Sequence, residues 1–428
     1  GRREEEDGNR APFAFDPHSL DAVVISHAHI DHTGLLPKLT AAGYRGPIFA
    51  TDATCELMEL MLLDAAFLQE KDAEWENKWR ARMGKAPISP LYTTADAEQA
   101  LSQRRPMMYG ESREVAKGVQ VTFHDAGHIL GSAIVELEVQ DHHLTRRLVF
   151  SGDLGNTCSP LMQDPSTLSK ADVVLLESTY GDRDHRCSED TLEELAEILQ
   201  QAHRDGGNVL IPAFAVGRTQ ELLYWFARHW EAWKLSRWRI FLDSPMAAKV
   251  VAVYGRHHGL FDEDARRVWA QSPNPFRLPN LHIAETTPQS MAINQVESGA
   301  IIIAGSGMAN GGRIQHHLRY NLGRRNAHVV FVGYQAEGTL GRRLVDGAQW
   351  VRIHGRDYRV NAQRHTVGGL SAHTDQQGLL AWYGNFHPSP PLVLVHGEDR
   401  AREALAGEIG ERHGVPVELA RPGMAFDV

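Results

Sequence analysis

Cysteine is nearly absent: Cys55, Cys158 and Cys187 are the only three in 428 residues, odd in number and widely spaced. Neither a disulfide framework nor a four-cysteine zinc site is available, and the thiols are read as reduced, with structural roles. No run of 18 or more apolar residues occurs, which removes a transmembrane helix and with it a membrane partner. No secretory signal is visible, so cytoplasmic location is the default. Positive charge is in deficit, with a formal net charge of −10. That balance excludes a protein that coats nucleic acid nonspecifically, so any basic groove must be local. No repeat or low-complexity segment stands out. What remains is an ordinary globular composition, long enough for two or more domains with substantial cores.

Against that background the run His27-Ala28-His29-Ile30-Asp31-His32 is the strongest signal. It follows the apolar stretch Ala22-Val23-Val24-Ile25 and packs four candidate ligands into six residues at a strand end. Imidazole nitrogen and carboxylate oxygen both suit Zn²⁺. A loop leaving a strand can aim His27 and His29 at one ion while the next turn aims Asp31 and His32 at a second, so two metals are expected. The alternative, a solvated polar loop, does not call for such dense coordinating chemistry.

The remaining ligands recur at strand ends downstream. His128 lies in Asp125-Ala126-Gly127-His128-Ile129-Leu130-Gly131-Ser132 after the alternating run Val119–Phe123, and completes the first ion. Asp153, in Ser151-Gly152-Asp153-Leu154-Gly155 after Arg147–Phe150, is placed to bridge both ions, its flanking glycines allowing close backbone approach. His396 follows Pro391–Val395 and completes the second ion.

Hexad, GHxxGS, SGDLG and a late VHGE, in this order, resemble the metallo-β-lactamase fold, and specifically its nucleic-acid-processing β-CASP branch. Glu177 in Glu177-Ser178-Thr179-Tyr180-Gly181 matches the branch's first signature acid, His373 in Ser371-Ala372-His373-Thr374-Asp375 its signature histidine, and His396 its last. Gly305-Ser306-Gly307-Met308-Ala309-Asn310-Gly311-Gly312-Arg313 is similar to the family's SGM…GGR stretch. The resemblance runs from about His27 to Glu398. It implies an α/β architecture, a metallo-β-lactamase αββα sandwich carrying an inserted Rossmann-like β-CASP domain. One element of the family pattern is not found. An Asp on a strand ahead of the hexad usually supports the metal site, and Asp16 and Asp21 lie too close to the hexad to serve. The chain opens at Gly1 in the polar stretch Arg2–Asp7, so the natural N-terminus and its hairpin are expected to be missing, at about 10–100-fold in metal binding.

Because ligands come from both ends and none from the middle, the expected division is 1–181 for the first part of the lactamase domain, 182–360 for the insert and 361–428 for the second part. The insert reads as strands near 208–212, 239–242, 300–304 and 328–332 alternating with helices, one of them from Arg218 to about Trp230, which suggests a parallel sheet.

The resemblance implies a zinc-dependent ribonuclease acting on single-stranded RNA. Two Zn²⁺ ions, or Mn²⁺, would hold a bridging hydroxide for in-line displacement. His373, not required by either coordination sphere, would be the general acid, Glu177 would fix its tautomer, and Asp31 would serve in catalysis as well as in ligation. Endonucleolytic cleavage is the expected mode, similar to the RNA-cutting subunit of the cleavage and polyadenylation factor and its bacterial relatives. The alternatives are a 5′–3′ exoribonuclease and a non-catalytic RNA-binding scaffold. A small-ester or lactam hydrolase is disfavoured by the large insert and by Glu177 with His373. A homodimer is left open. Ser306, Arg313 and Ser371 are the expected substrate contacts, within or near arginine-rich segments 310–325 and 342–364 whose plain alternative is solvated surface. Gly305-x-Gly307 departs from a dinucleotide loop and is read instead as a backbone nest near the phosphates. Leu57–Met83 reads as one or two amphipathic helices, with Trp75 and Trp79 taken as packing residues.

Overall fold

A computed structural model describes residues 8–425 apart from 142, 143, 158, 187, 272 and 273, with 141 and 188 described by their backbone alone. The Arg2–Asp7 stretch, Cys158 and Cys187 therefore lie outside the described residues. Cys55 is a buried free thiol, and burial pushes it up to about 12, fitting an inert structural role.

In chain order the strands are β1 (Val23–Val24), β2 (Ile48–Thr51), β3 (Arg104–Met107), β4 (Ser112–Ala116), β5 (Val119–Asp125), β6 (Ala133–Asp141), β7 (Leu144–Phe150) and β8 (Val173–Leu176). The middle of the chain adds β9 (Val209–Pro212), β10 (Arg239–Asp243), β11 (Leu281–Ile283), β12 (Ala300–Ala304), β13 (His328–Phe331), β14 (Trp350–Ile353), β15 (Arg356–Arg359) and β16 (Gln363–Thr366). The chain then returns with β17 (Leu392–Leu394) and β18 (Val417–Leu419).

Two compact units result, one from residues up to 184 together with 373–428, the other from 185–372. The second unit runs past the expected limit of 360 because β16 pairs in parallel with β13 at the edge of its sheet.

The split unit is a sandwich. A seven-stranded sheet in the order β18-β17-β8-β7-β6-β5-β4 faces a small parallel sheet, β1-β2-β3. Alternation along β5 sends Val121 and Phe123 inward against Phe49 and Met107 of the small sheet. The opposite face of the large sheet packs Ile134, Val149, Val174 and Leu392 under helices Gln376–Tyr383 and Asp399–His413, which contribute Tyr383, Leu405 and Ile409. Helix, sheet, sheet, helix is the αββα order of the metallo-β-lactamase fold. Because β8 and β17 are parallel neighbours, with Leu176 paired to Leu394, segments more than 200 residues apart end side by side.

The 185–372 unit is a six-stranded parallel sheet, β11-β10-β12-β9-β13-β16. Val209–Pro212, Ala300–Ala304 and His328–Phe331 are buried at every position, the unbroken apolar pattern of strands covered on both faces. Its helix Arg218–Arg228 stops slightly short of Trp230.

The one or two helices expected over Leu57–Met83 are one, Asp52–Arg82. Its buried positions include Leu62, Ala66 and Ala73. Trp75 follows Ala73 by two residues, more than half a turn, and so faces outward. Trp75 and Trp79 are 74% and 46% exposed, which overturns their reading as packing residues.

Candidate metal centre

Backbone ties bring the ligand-bearing loops together within the split unit. Ile25 N–H reaches the Phe49 carbonyl, so the chain leaves β1 still held to the small sheet, and Ala133 N–H ties Ser26 to the start of β6. Ala28, fully buried, pins the turn between the first two histidines. His29 is the N-cap of the short helix Ile30–Thr33, so Asp31 and His32 sit on its first turn, with the His32 ring 4.0 Å from that of His27.

Two groups form. The ligand atoms of His27, His29, His128 and Asp153 lie within 4.8 Å of one another, and so do those of Asp31, His32 and His396. Asp153 joins them through different oxygens. Its Oδ2 is 3.4 Å from His27 Nε2 and 3.7 Å from His128 Nε2, while its Oδ1 is 3.4 Å from His32 Nε2 and 3.6 Å from His396 Nδ1. Asp31 Oδ2 is 3.4 Å from His396 Nε2.

Whether these residues suit a cation can be judged from their unsatisfied atoms. His27 Nε2, His32 Nε2 and Asp153 Oδ1 are buried with no hydrogen-bond partner. Leaving such a group bare costs about 1–3 kcal/mol, and three that converge present the lone pairs a divalent cation would fill. The donor set fits.

Electrostatics sort the imidazoles. Burial holds His27 well below its usual range and His29 below it, with neighbouring histidines adding to this against the pull of the carboxylates. Both are thereby held in the neutral, ligating form. Burial opposes the charge on His396, yet Asp153, Asp31 and Glu177 lift it to about 10. Asp153, which burial alone would raise, is held well below the carboxylate range by His396, His27, His32 and His373. Asp31 is also lowered: the effect of its surroundings in raising it is outweighed by the His396 hydrogen bond and by His32 and His29.

His396 carries a further mark. Its φ is +46°, in the left-handed region that a residue with a side chain rarely occupies. Ser178 N–H to the His396 carbonyl, at 2.9 Å, and Val395 N–H to the Leu176 carbonyl fix it there.

Glu177 and His373 stand beside Asp153 as a pair. His373 Nδ1 is 3.2 Å from each Glu177 carboxylate oxygen and 3.9 Å from Asp153 Oδ2. Glu177 also accepts the Leu154 N–H at 2.6 Å and the Thr179 N–H at 3.3 Å, so both its oxygens are occupied. Burial works against charge on His373, but Glu177 and then Asp153 prevail and its pKa is raised.

Several supporting groups lie outside the candidate residues of the motifs. Ser26 Oγ lies 3.2 Å from His27 Nδ1, and Thr179 Oγ1 lies 3.0 Å from His396 Nδ1; the first directly precedes a candidate ligand and the second follows Glu177 by two residues, which is the sequence signal they carry. Tyr180, 6.5 Å from the His373 ring, carries the Arg183 guanidinium 4.9 Å over its face, an arrangement with no local pattern to announce it.

The three expected substrate contacts lie in the 185–372 unit. Arg313 is bonded to Asp243 Oδ1 at 2.6 Å and to the Ala284 and Glu285 carbonyls, so its fork is occupied inside the fold and the phosphate role expected for it is not supported. Ser306 Oγ accepts the Gly311 N–H at 3.3 Å, closing its own loop. The N–H groups of Ser306 and Ala309 are likewise taken within that loop. Ser371 is buried after the turn Gly368–Leu370.

A sandwich of this kind, with histidines and carboxylates converging where its strands end, defines a metallo-hydrolase of the metallo-β-lactamase fold. Family comparisons divide the chain accordingly. A beta-lactamase superfamily domain matches residues 5–211, a Beta-Casp domain 219–344, and a Zn-dependent metallo-hydrolase RNA specificity domain 357–420. Ribonuclease TTHA0252 of Thermus thermophilus is 42% identical over 424 residues, covering 99% of this chain and 92% of that protein. Transcription termination factor FttA of Thermococcus kodakarensis is 31% identical over 94% of this chain, which spans 61% of that relative's length; the Methanosarcina mazei protein of the same name is 30% identical, with 63% spanned. The chain belongs to the β-CASP family of metallo-β-lactamase-fold, metal-dependent ribonucleases. Among the described residues no helix is long and apolar enough to cross a membrane.

Proposed function

We propose that this protein is a two-zinc endoribonuclease that cuts single-stranded RNA internally. The observation that carries this reading is the position of Asp153, one oxygen toward each of two ligand groups, with the Nδ1 of the neighbouring His373 taken up by Glu177. His27, His29 and His128 would hold one ion, Asp31, His32 and His396 the other, and Asp153 both. Imidazole-rich spheres favour zinc, with manganese the alternative that metal analysis would detect. Divalent cations bound there supply Lewis acidity toward phosphoryl oxygens and acidify water.

The protein's own groups do the rest. Glu177, fixed by two backbone N–H groups, accepts a hydrogen bond from His373 Nδ1–H and so selects the tautomer and orientation of that ring. His373 Nε2 then carries the proton delivered to the departing ribose oxygen. The raised pKa of His373 keeps that proton available near neutrality. Ser26 and Thr179 orient the rings of His27 and His396.

The test is cleavage of single-stranded RNA labelled at either end by zinc-loaded protein, with matched DNA and a chelated sample as controls. Internal RNA fragments that vanish with chelator are expected. Stepwise mononucleotides from the 5′ end would replace the endonuclease with an exonuclease. No cleavage with both metals bound would leave an RNA-binding scaffold.

A further inference from the structure

The outward face of helix Asp52–Arg82 is unusual for a protein surface. Phe67, Leu68, Trp75, Trp79 and Met83 are 51%, 52%, 74%, 46% and 59% exposed, five large apolar side chains in water along the second half of the helix and its cap. Clustered exposure of this kind marks interaction sites. Cations are interleaved with the rings. Lys71 Nζ lies 5.7 Å from the Phe67 ring centre and Lys85 Nζ 5.0 Å from that of Trp79. At 3.6 residues per turn, Phe67, Lys71, Trp75, Lys78, Trp79 and Arg82 share an arc of about 120° that contains no glutamate. Asp64, one turn before Phe67, falls on the same arc, and Glu74 and Asp72 lie about 20° beyond its two edges, but from Phe67 onward the arc itself holds three cations and no carboxylate on a chain of net charge −10. Lys71 does pair with Glu74 at 2.9 Å, but both are exposed and such a pair exchanges easily for a phosphate.

We infer that this face is a binding platform for single-stranded RNA, with bases stacking on Trp75, Trp79 and Phe67 and phosphates meeting Lys71, Lys78, Arg82 and Lys85. The inference rests on the ribonuclease reading and extends it to a surface outside the metal centre. Flat apolar faces alternating with cations match the two features every RNA strand presents, whatever its sequence. A second copy of the chain matches less well, because an isologous contact would set these lysines against one another.

The helix also starts in the right place. Thr51 and Thr54 hydroxyls both donate to the Gly131 carbonyl, on the loop that carries His128. At 1.5 Å per residue, Phe67 lies about 22 Å and Trp79 about 40 Å along the helix from its start. With stacked bases rising about 3.4 Å each, that is a span of roughly 6 to 12 nucleotides from the helix start beside the His128 loop. Long substrates would reach the platform; very short ones would not.

The experiment compares wild type with Trp75→Ala/Trp79→Ala, Trp75→Phe/Trp79→Phe and Lys71→Glu/Lys78→Glu. Fluorescence anisotropy with a 30-nucleotide RNA in chelator reads binding, cleavage of a pentanucleotide with zinc reads chemistry, and thermal melts confirm folding. The alanine pair should raise Kd for the long RNA by at least about tenfold, the phenylalanine pair should restore most of it, and the charge reversals should flatten the salt dependence. Pentanucleotide cleavage should be unchanged throughout. An unchanged Kd in folded variants would overturn the platform, as would variants that turn a dimer into a monomer by sedimentation without altering Kd. If wild type cleaves neither RNA while the alanine pair still loses affinity, the mechanism fails and the platform stands.

Discussion

His373 Nδ1 and Asp153 Oδ2 are 3.9 Å apart, yet their removal should have opposite signatures. His373→Ala should retain both metals and lose about 10²–10⁴-fold in cleavage rate, the usual contribution of a positioned proton donor. Asp153→Ala should lose metal and activity together. Metal analysis of desalted protein beside a rate assay separates the two, and a large loss of zinc from His373→Ala would make that residue a ligand. A different residue governs a pH effect. Asp125 accepts the Gly127 N–H at 2.9 Å, and burial pushes its carboxyl up to about 7 despite that bond. Since the folded state holds this proton more tightly than the unfolded state, its contribution is complete below about pH 4 and is lost as pH rises through 7. Asp125→Asn, which keeps an acceptor for Gly127, should match wild type at pH 4 and exceed it at pH 8 by on the order of 2 kcal/mol after allowance for solvent screening. Denaturant unfolding of chelated protein at both pH values checks this.

Among the elements, the strand-end loops determine the site more than the strands do. The loop carrying Asp153 crosses the loop carrying His128 at two glycines: Gly155 N–H donates to the Ala126 carbonyl, and a Cβ on Gly155 would overlap the Gly127 carbonyl. Gly155→Ala should therefore part the loops, lowering stability by about 1–3 kcal/mol and loosening metal retention, measured by melting and by chelator competition. Unchanged metal retention would mean that the crossing does not set the ligand geometry. These loops were legible because each follows an apolar run with the correct period, and the strands end within a few residues of where those runs end. The orientation of helix Asp52–Arg82 was not, since two tryptophans at i and i+4 share a face whichever way that face points. Only the burial of Leu62, Ala66 and Ala73 turns it outward.

For the whole molecule, each unit has its own core, and the candidate ligands all belong to the one built from both ends of the chain. Removing metal should consequently act unevenly. Hydrogen exchange after chelation should quicken at residues 26–33, 126–131 and 395–397, while β9, β12 and β13 keep their protection. Uniform quickening across both units would show that the metal stabilises the fold globally.

The amino-acid sequence by itself determined which residues are candidate ligands, their places at strand ends, the α/β class and the family, because dense histidine motifs and apolar periodicity are local properties. Tertiary structure alone decided which oxygen of Asp153 faces which histidines and where the oxygens of Glu177 are bound. It also directed the Arg313 fork inward to Asp243 and left Trp75 in water. Those outcomes depend on which distant segments pack together, as when β8 and β17 align as neighbours, and no local pattern records a side chain's partner across 200 residues of chain.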